Sequence, residues 1–190
     1  MSMRFPPLLA VALALAACGS PAYYLLPTPQ PGPSRAAPVG SIVVAELSLP
    51  AYADALEVAT LTAPGTLELP KASLWADTPR RAMTRHLAAA LDDRLAARVA
   101  TEPWPGFDSP GLRVEITVDR MIGALDGSLD FAGQYFLVVP ASGRIVALER
   151  FAFALPPQGE GYPALMTAHA RALDRLADHI AARITGAPAA

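Results

Sequence analysis

Leu112-Arg113-Val114-Glu115-Ile116-Thr117-Val118-Asp119 alternates without a break between apolar and polar side chains. Successive side chains of a strand point to opposite faces. Leu112, Val114, Ile116 and Val118 therefore share one face, and Arg113, Glu115, Thr117 and Asp119 share the other. One wet face and one buried face mark an antiparallel strand. Asp126-Gly127 follows as a tight-turn signal. A second strand carries Leu129, Phe131, Tyr135, Leu137 and Val139 on one face, and Ser142-Gly143 turns the chain again. In the third strand Val146 and Leu148 precede Phe151, Phe153 and Leu155, a change of phase that places a bulge near Glu149. The stretch reads as a three-stranded meander with a charged outer side on its first strand.

A helix flanks the meander on each side. The upstream one starts at Asp77-Thr78-Pro79: Asp77 or Thr78 can accept a bond from a free backbone N–H, and Pro79 has no N–H to leave unpaired. Met83, Leu87, Leu91 and Leu95 form its apolar stripe, with Arg80, Arg81, Arg85, Asp92, Asp93 and Arg94 on its other faces, and it ends before Pro103. The downstream helix starts near Tyr162-Pro163 and closes at Gly186. Leu165, His169, Leu173, Leu176, Ile180 and Ile184 face inward, and Arg171/Asp174 and Arg175/Asp178 pair at i, i+3 on the wet side. Ile42 to Leu47 reads as an early strand, Leu56 to Leu61 as a second, and Thr66 to Leu69 as its hairpin return through Pro64-Gly65. A helix separates the strand at Ile42 from the meander, which predicts a parallel pair with a right-handed crossover; the remaining strands are expected to be antiparallel. The fold class is α/β: a single domain, a mixed sheet of about five strands, and two main helices packed on it.

The first residues carry a different signal. Arg4 is followed by an apolar run from Phe5 to Ala14 and by Leu15-Ala16-Ala17-Cys18. A positive end, a short apolar run and small residues make an export signal, and the run is too short to span a bilayer. Cys18 is the only cysteine of 190 residues, so no disulfide can form within the chain. The small residues before it resemble the lipobox of bacterial lipoproteins, which implies cleavage after residue 17 and a covalent lipid on Cys18. In such lipoproteins an aspartate after the cysteine favours retention at the inner membrane, so Gly19 implies the outer one, with the domain on its periplasmic side. The chain then divides into a signal peptide (1–17), a lipidated N-terminus with a proline-rich tether (18–40), a globular domain (41–186) and a tail (187–190). Within the tether, Tyr23-Tyr24-Leu25-Leu26 either docks as a strand or continues a solvated linker. Docking would shorten the free reach from Cys18 to roughly 17 Å.

Chemistry-bearing patterns are few. The formal net charge is −2, so no basic field recruits nucleic acid. His86, His169 and His179 lack metal-ligand spacing. His169 reads as a core histidine, and no catalytic role is assigned to His86. There is no nucleophile elbow and no phosphate loop. Asp126 to Asp130 lacks the acidic end of a calcium loop and reads as a turn. Tyr52 and Trp75 each read either as a partner contact or as a cap over the core. No cofactor is expected beyond the lipid on Cys18.

Three motifs carry a family resemblance: Tyr23-Tyr24-Leu25-Leu26 after the cysteine, Leu49-Pro50-Ala51-Tyr52, and Leu74-Trp75-Ala76-Asp77-Thr78-Pro79 at the helix start. Together they resemble the PqiC-like family of auxiliary lipoproteins of ABC-type lipid-transport systems, over nearly the whole mature chain. Asp77 stands where the family often has glutamate, and Leu61 where it often has arginine. The resemblance implies an α/β fold like that of anticodon-binding and TolB N-terminal domains. It implies a role without catalysis, partners with mammalian-cell-entry domains and their permease and ATPase, and a ring of identical copies at the outer membrane. The alternative is a periplasmic lipoprotein that binds a lipid or another small ligand itself.

Overall fold

The computed structural model describes residues 20–125, 129–156 and 158–186. The meander is its centre. β7 (Leu112–Gly123), β8 (Leu129–Val139) and β9 (Arg144–Leu155) pair antiparallel in sequence order. Leu112, Val114, Ile116 and Val118 are buried, as the alternation requires. β7 runs past Asp119 because a bulge between Val118 and Arg120 restores the phase, so Met121 is buried again. The Asp126-Gly127 turn lies outside the described residues. At Ser142-Gly143 the chain turns with Gly143 at φ 66°, a left-handed conformation that suits glycine.

β8 covers one edge of β7, so the other edge takes two earlier strands end to end. β2 (Ser41–Val44) lies parallel to Leu112–Val114, and β3 (Thr60–Ala63) meets the far end at Gly123. β3 forms a hairpin with β4 (Thr66–Glu68), and β2 pairs outward with β6 (Arg98–Thr101). The sheet thus has seven strands. A separate ribbon joins β1 (Ala22–Tyr24) in parallel to β5 (Ser73–Trp75). Helices α1 (Pro79–Arg94) and α2 (Gly161–Thr185) pack on the sheet and on each other. The core between these layers holds Ile42, Leu87, Leu91, Leu129, Phe131 and Leu173, all fully buried.

Several expectations are corrected. The bulge of β9 falls at Val146: Leu137 pairs with Ala147, but Val138 pairs with Ile145. From Ala147 onward the odd-numbered residues face inward, and Leu148 is left 54% exposed. The second strand begins only at Thr60, because the preceding residues serve β5 instead: Trp75 N–H donates to Leu56 O, and Val58 N–H to Ser73 O. The pairs β3–β7 and β1–β5 are parallel. α1 stops at Arg94, so Arg98–Thr101 is free to form β6, which the sequence reading did not anticipate. Neither i, i+3 ion pair of α2 forms. Arg171 donates to Pro156 O, Arg175 lies over the Phe153 ring at 4.9 Å, and both aspartates turn toward α1. Arg94 is buried and does not occupy a wet face of α1.

Gly133 shows how tightly the meander closes. A Cβ there would lie 2.2 Å from Thr117 O, 3.0 Å from Phe151 Cζ and 3.0 Å from Val118 Cα. The bulge of β7 and the Phe151 ring fill the space a side chain would need. We expect Gly133→Ala to destabilise the domain by about 1–3 kcal/mol, the cost of overpacking. Urea denaturation would show it as a lower midpoint; an unchanged midpoint would mean that β7 yields freely.

Candidate functional site

Residues 25–35, rich in proline, form an extended strap that lies along the two helices. Its attachments are polar and part-buried. The ring of His86, on α1, stands between two acceptors: Nδ1 is 3.0 Å from Pro27 O and Nε2 is 3.0 Å from Asp174 Oδ1 on α2. Asp174 Oδ2 also accepts the N–H of Gln30, at 3.2 Å. Two turns further along α1, Arg94 donates to Asp178 Oδ1 at 2.6 Å, to Gln30 O at 3.2 Å and to Ala90 O at 3.0 Å. Arg35 then continues the strap, its N–H donating to Arg94 O and its carbonyl accepting from Ala96. Gly32 passes so close to Arg94 that a Cβ would come within 2.9 Å of Cγ.

The His86–Asp174 pair resembles two of the three members of a catalytic triad, but its geometry argues for a structural clamp. Both ring nitrogens are engaged, and the side chains are only 3% and 10% exposed. A general base needs a nitrogen within reach of a substrate proton. Here neither nitrogen is free. No group of three or more potential metal ligands occurs among the described residues.

The other singled-out residues separate by position. Cys18 lies outside the described residues. Tyr52 is half-buried against the core, and its hydroxyl accepts the N–H of Met121 at the bulge of β7, at 3.2 Å. Trp75 is 5% exposed, so the reading of it as a partner contact has no surface to use. Its ring meets that of His169 edge-on, with centroids 5.2 Å apart. His169 donates from Nδ1 to Leu165 O at 2.7 Å, and burial pushes its pKa down to about 4. His179 lies 3.4 Å from the Tyr135 hydroxyl. Burial, with the nearby Glu149 carboxylate, pushes the pKa of Tyr135 up to about 12.

His169 gives the domain an acid-sensitive term. The folded state stops binding its proton above about pH 4, whereas the unfolded chain binds it up to about 6.5. Stability from this residue is therefore complete above pH 6.5 and falls as the pH drops toward 4, by on the order of 3 kcal/mol. Chemical denaturation across that window should show the decline, and His169→Gln should flatten it.

Sequence reasoning missed Arg94, Asp174 and Asp178 because each looks like one more charge on an amphipathic helix. A faint signal was present. Asp174 and Asp178 stand four apart on α2, and His86 and Arg94 eight apart on α1, so each pair shares a face.

Clefts flank these elements, among them an apolar one of about 300 Å³ against the strap, lined by Leu25, Leu26, Pro27, Trp75, His86 and Ala89. Another of about 580 Å³ lies among Glu46, Arg81, Thr84, Arg85, Thr101 and Trp104 and is rimmed by charge. A second apolar one of about 260 Å³ lies between the end of α2 and the sheet, against Val39, Leu112, Val139, Val146 and Ile184. No described helix is long and apolar enough to cross a membrane.

Comparison with known proteins places the fold. A crystal structure of an uncharacterized protein superposes with a TM-score of 0.70 at 19% identity, covering 87% of this chain and 99% of that one. Protein XCC0632 of Xanthomonas campestris, of the DUF330 family, superposes with a TM-score of 0.68 at 19% identity, covering 86% and 94%. At these identities the likeness shows a shared fold, two helices on a mixed sheet. No curated protein matches the chain. The pattern of the ABC-type transport auxiliary lipoprotein component family matches residues 23–181, from the first strand nearly to the end of α2, and the chain belongs to that family.

Proposed function

We propose that this chain is a lipid-anchored docking component, without catalysis of its own, of an ABC-type lipid-transport system at the periplasmic side of the outer membrane. Its partner in this reading is a membrane-bridging transport protein with mammalian-cell-entry domains, served by a permease and an ATPase. Copies of the chain assemble into a ring around the end of that bridge. The observation that carries the reading is the family match over residues 23–181, combined with a lipobox cysteine four residues before β1.

The strap supports a positioning role. A load applied at Cys18 reaches β1, then Pro27 and Gln30, then both helices through His86, Asp174 and Arg94. The anchor is thus tied into the core and does not hang from a slack linker. The alternative, a lipid carried inside the domain, is supported less. The two apolar clefts, of about 300 and 260 Å³, lie at or below the lower end of the roughly 300–1,000 Å³ usual for ligand sites.

Affinity purification of the tagged chain from detergent-extracted envelopes tests the proposal. A bridging protein with mammalian-cell-entry domains should co-purify, and deletion should weaken the outer-membrane barrier. An extracted protein without an envelope partner, in cells whose barrier survives the deletion, would count decisively against it.

A further inference from the structure

We propose that the outer face of the β1–β5 ribbon rests on the lipid bilayer, in the headgroup layer. The inference rests on the reading of Cys18 as lipidated. The ribbon register sets Tyr23 beside Leu74 and Tyr24 beside Trp75. Trp75 is buried, and Tyr24 packs on Tyr162 with ring centroids 5.1 Å apart. Alternation therefore turns Tyr23 and Leu74 outward. A strand that faces water on one side carries polar residues there. This one carries Tyr23, 64% exposed, and is followed by Leu25, 76% exposed.

The surroundings fit a headgroup layer. Tyrosine suits that layer because its ring is apolar and its tip polar. Lys71, the only lysine of the chain, is exposed at the edge of the same ribbon. Its neighbour Ala72 accepts the N–H of Ala22, the first residue of β1. A lysine can lay its stem on apolar surface and hold its ammonium among lipid phosphates. Gly19 is the last of the N-terminal residues outside the described ones, so an anchor on Cys18 joins the domain at this ribbon. Five residues separate Cys18 from Tyr23, a span of at most roughly 17 Å. An acylated Cys18 sits at the bilayer surface, and the first large apolar surface within its reach is this face.

The test uses the full chain, extracted with its acyl chains and reconstituted into phosphatidylethanolamine–phosphatidylglycerol vesicles. The thioether to the lipid consumes the Cys18 thiol, so Leu25→Cys and, in a separate protein, Leu148→Cys each provide a single site for a fluorophore. Both positions are exposed on the free domain. Quenching by a doxyl lipid should be several-fold stronger at position 25 than at 148, and quenching by aqueous iodide weaker. Equal lipid quenching at the two sites, with mass spectrometry confirming the lipid, would overturn the ribbon proposal and leave the lipoprotein reading standing. Shielding of position 25 from both quenchers would overturn it in favour of a second copy covering the face. A mass showing unmodified Cys18 would overturn both readings.

Discussion

Replacing His86 with alanine is expected to cost about 3–5 kcal/mol of folding stability, the range for removing one partner of a buried polar pair. His86, like Arg94 two turns further on, reaches from α1 to both the strap and α2. Its two nitrogens face two acceptors, Pro27 O and Asp174 Oδ1. Without the ring, Asp174 is left inside the helix interface with the N–H of Gln30 as its remaining partner. A carboxylate so placed has lost water and gained little in return. The double variant His86→Leu/Asp174→Leu removes the charge as well as the ring. It should therefore be more stable than the single variant, leaving chiefly the Gln30 N–H unpaired at about 1–3 kcal/mol. Urea denaturation of the two variants makes the comparison, and hydrogen exchange adds a local readout: amides of residues 25–35 should lose protection in His86→Ala. A single variant that loses less than its double would show that the pair does not clamp the strap.

The meander was legible because a wet face forces alternation, and alternation over Leu112 to Val118 is hard to produce by any other means. The apolar stripes of α1 and α2 were legible for the same reason at helical spacing. What escaped were features whose cause lies in another element. β6 follows α1 directly and has only Arg98-Val99-Ala100-Thr101 to declare it; its partner is β2, more than fifty residues earlier. The β9 bulge was foreseen but misplaced by about three residues. The sequence records that the phase changes between Leu148 and Phe151, whereas the facing strand decides where the extra residue is absorbed. The charges of α2 were assigned to their nearest sequence neighbours, and the structure gives them to α1. A wet i, i+3 pair contributes a few tenths of a kcal/mol, too little to hold Asp174 and Asp178 away from a helix interface offering an imidazole and a guanidinium. Among the candidate site residues, Cys18 was legible as a candidate anchor because its motif is local. Tyr52 and Trp75 were not, since an aromatic in a turn or just before a helix looks alike whether it faces in or out.

Trp75→Ala is expected to cost about 3–5 kcal/mol, as emptying a large buried aromatic site does. Trp75 is where the ribbon meets the core: its backbone pairs with Tyr24 on one side and donates its N–H to Leu56 O on the other. Its ring packs edge-on against His169 of α2. The small void lined by Ala53, Val58, Met83, Met121 and His169 already adjoins it, at about 10 Å³, and truncation would enlarge it into a true cavity. His169 would lose the aromatic wall that helps keep water away, so the acid-sensitive decline of stability should narrow in the same variant. Tyr52→Phe serves as the contrast. It keeps the ring and removes only the acceptor for Met121 N–H, a loss of about 0.5–1.5 kcal/mol. Paired denaturation curves at pH 7 and pH 5 measure both effects. A Trp75 variant with near-native stability would return this residue to the surface and reopen its reading as a partner contact. The expected loss instead assigns Trp75 to holding the β1–β5 ribbon on the domain and leaves partner recognition to other, exposed residues.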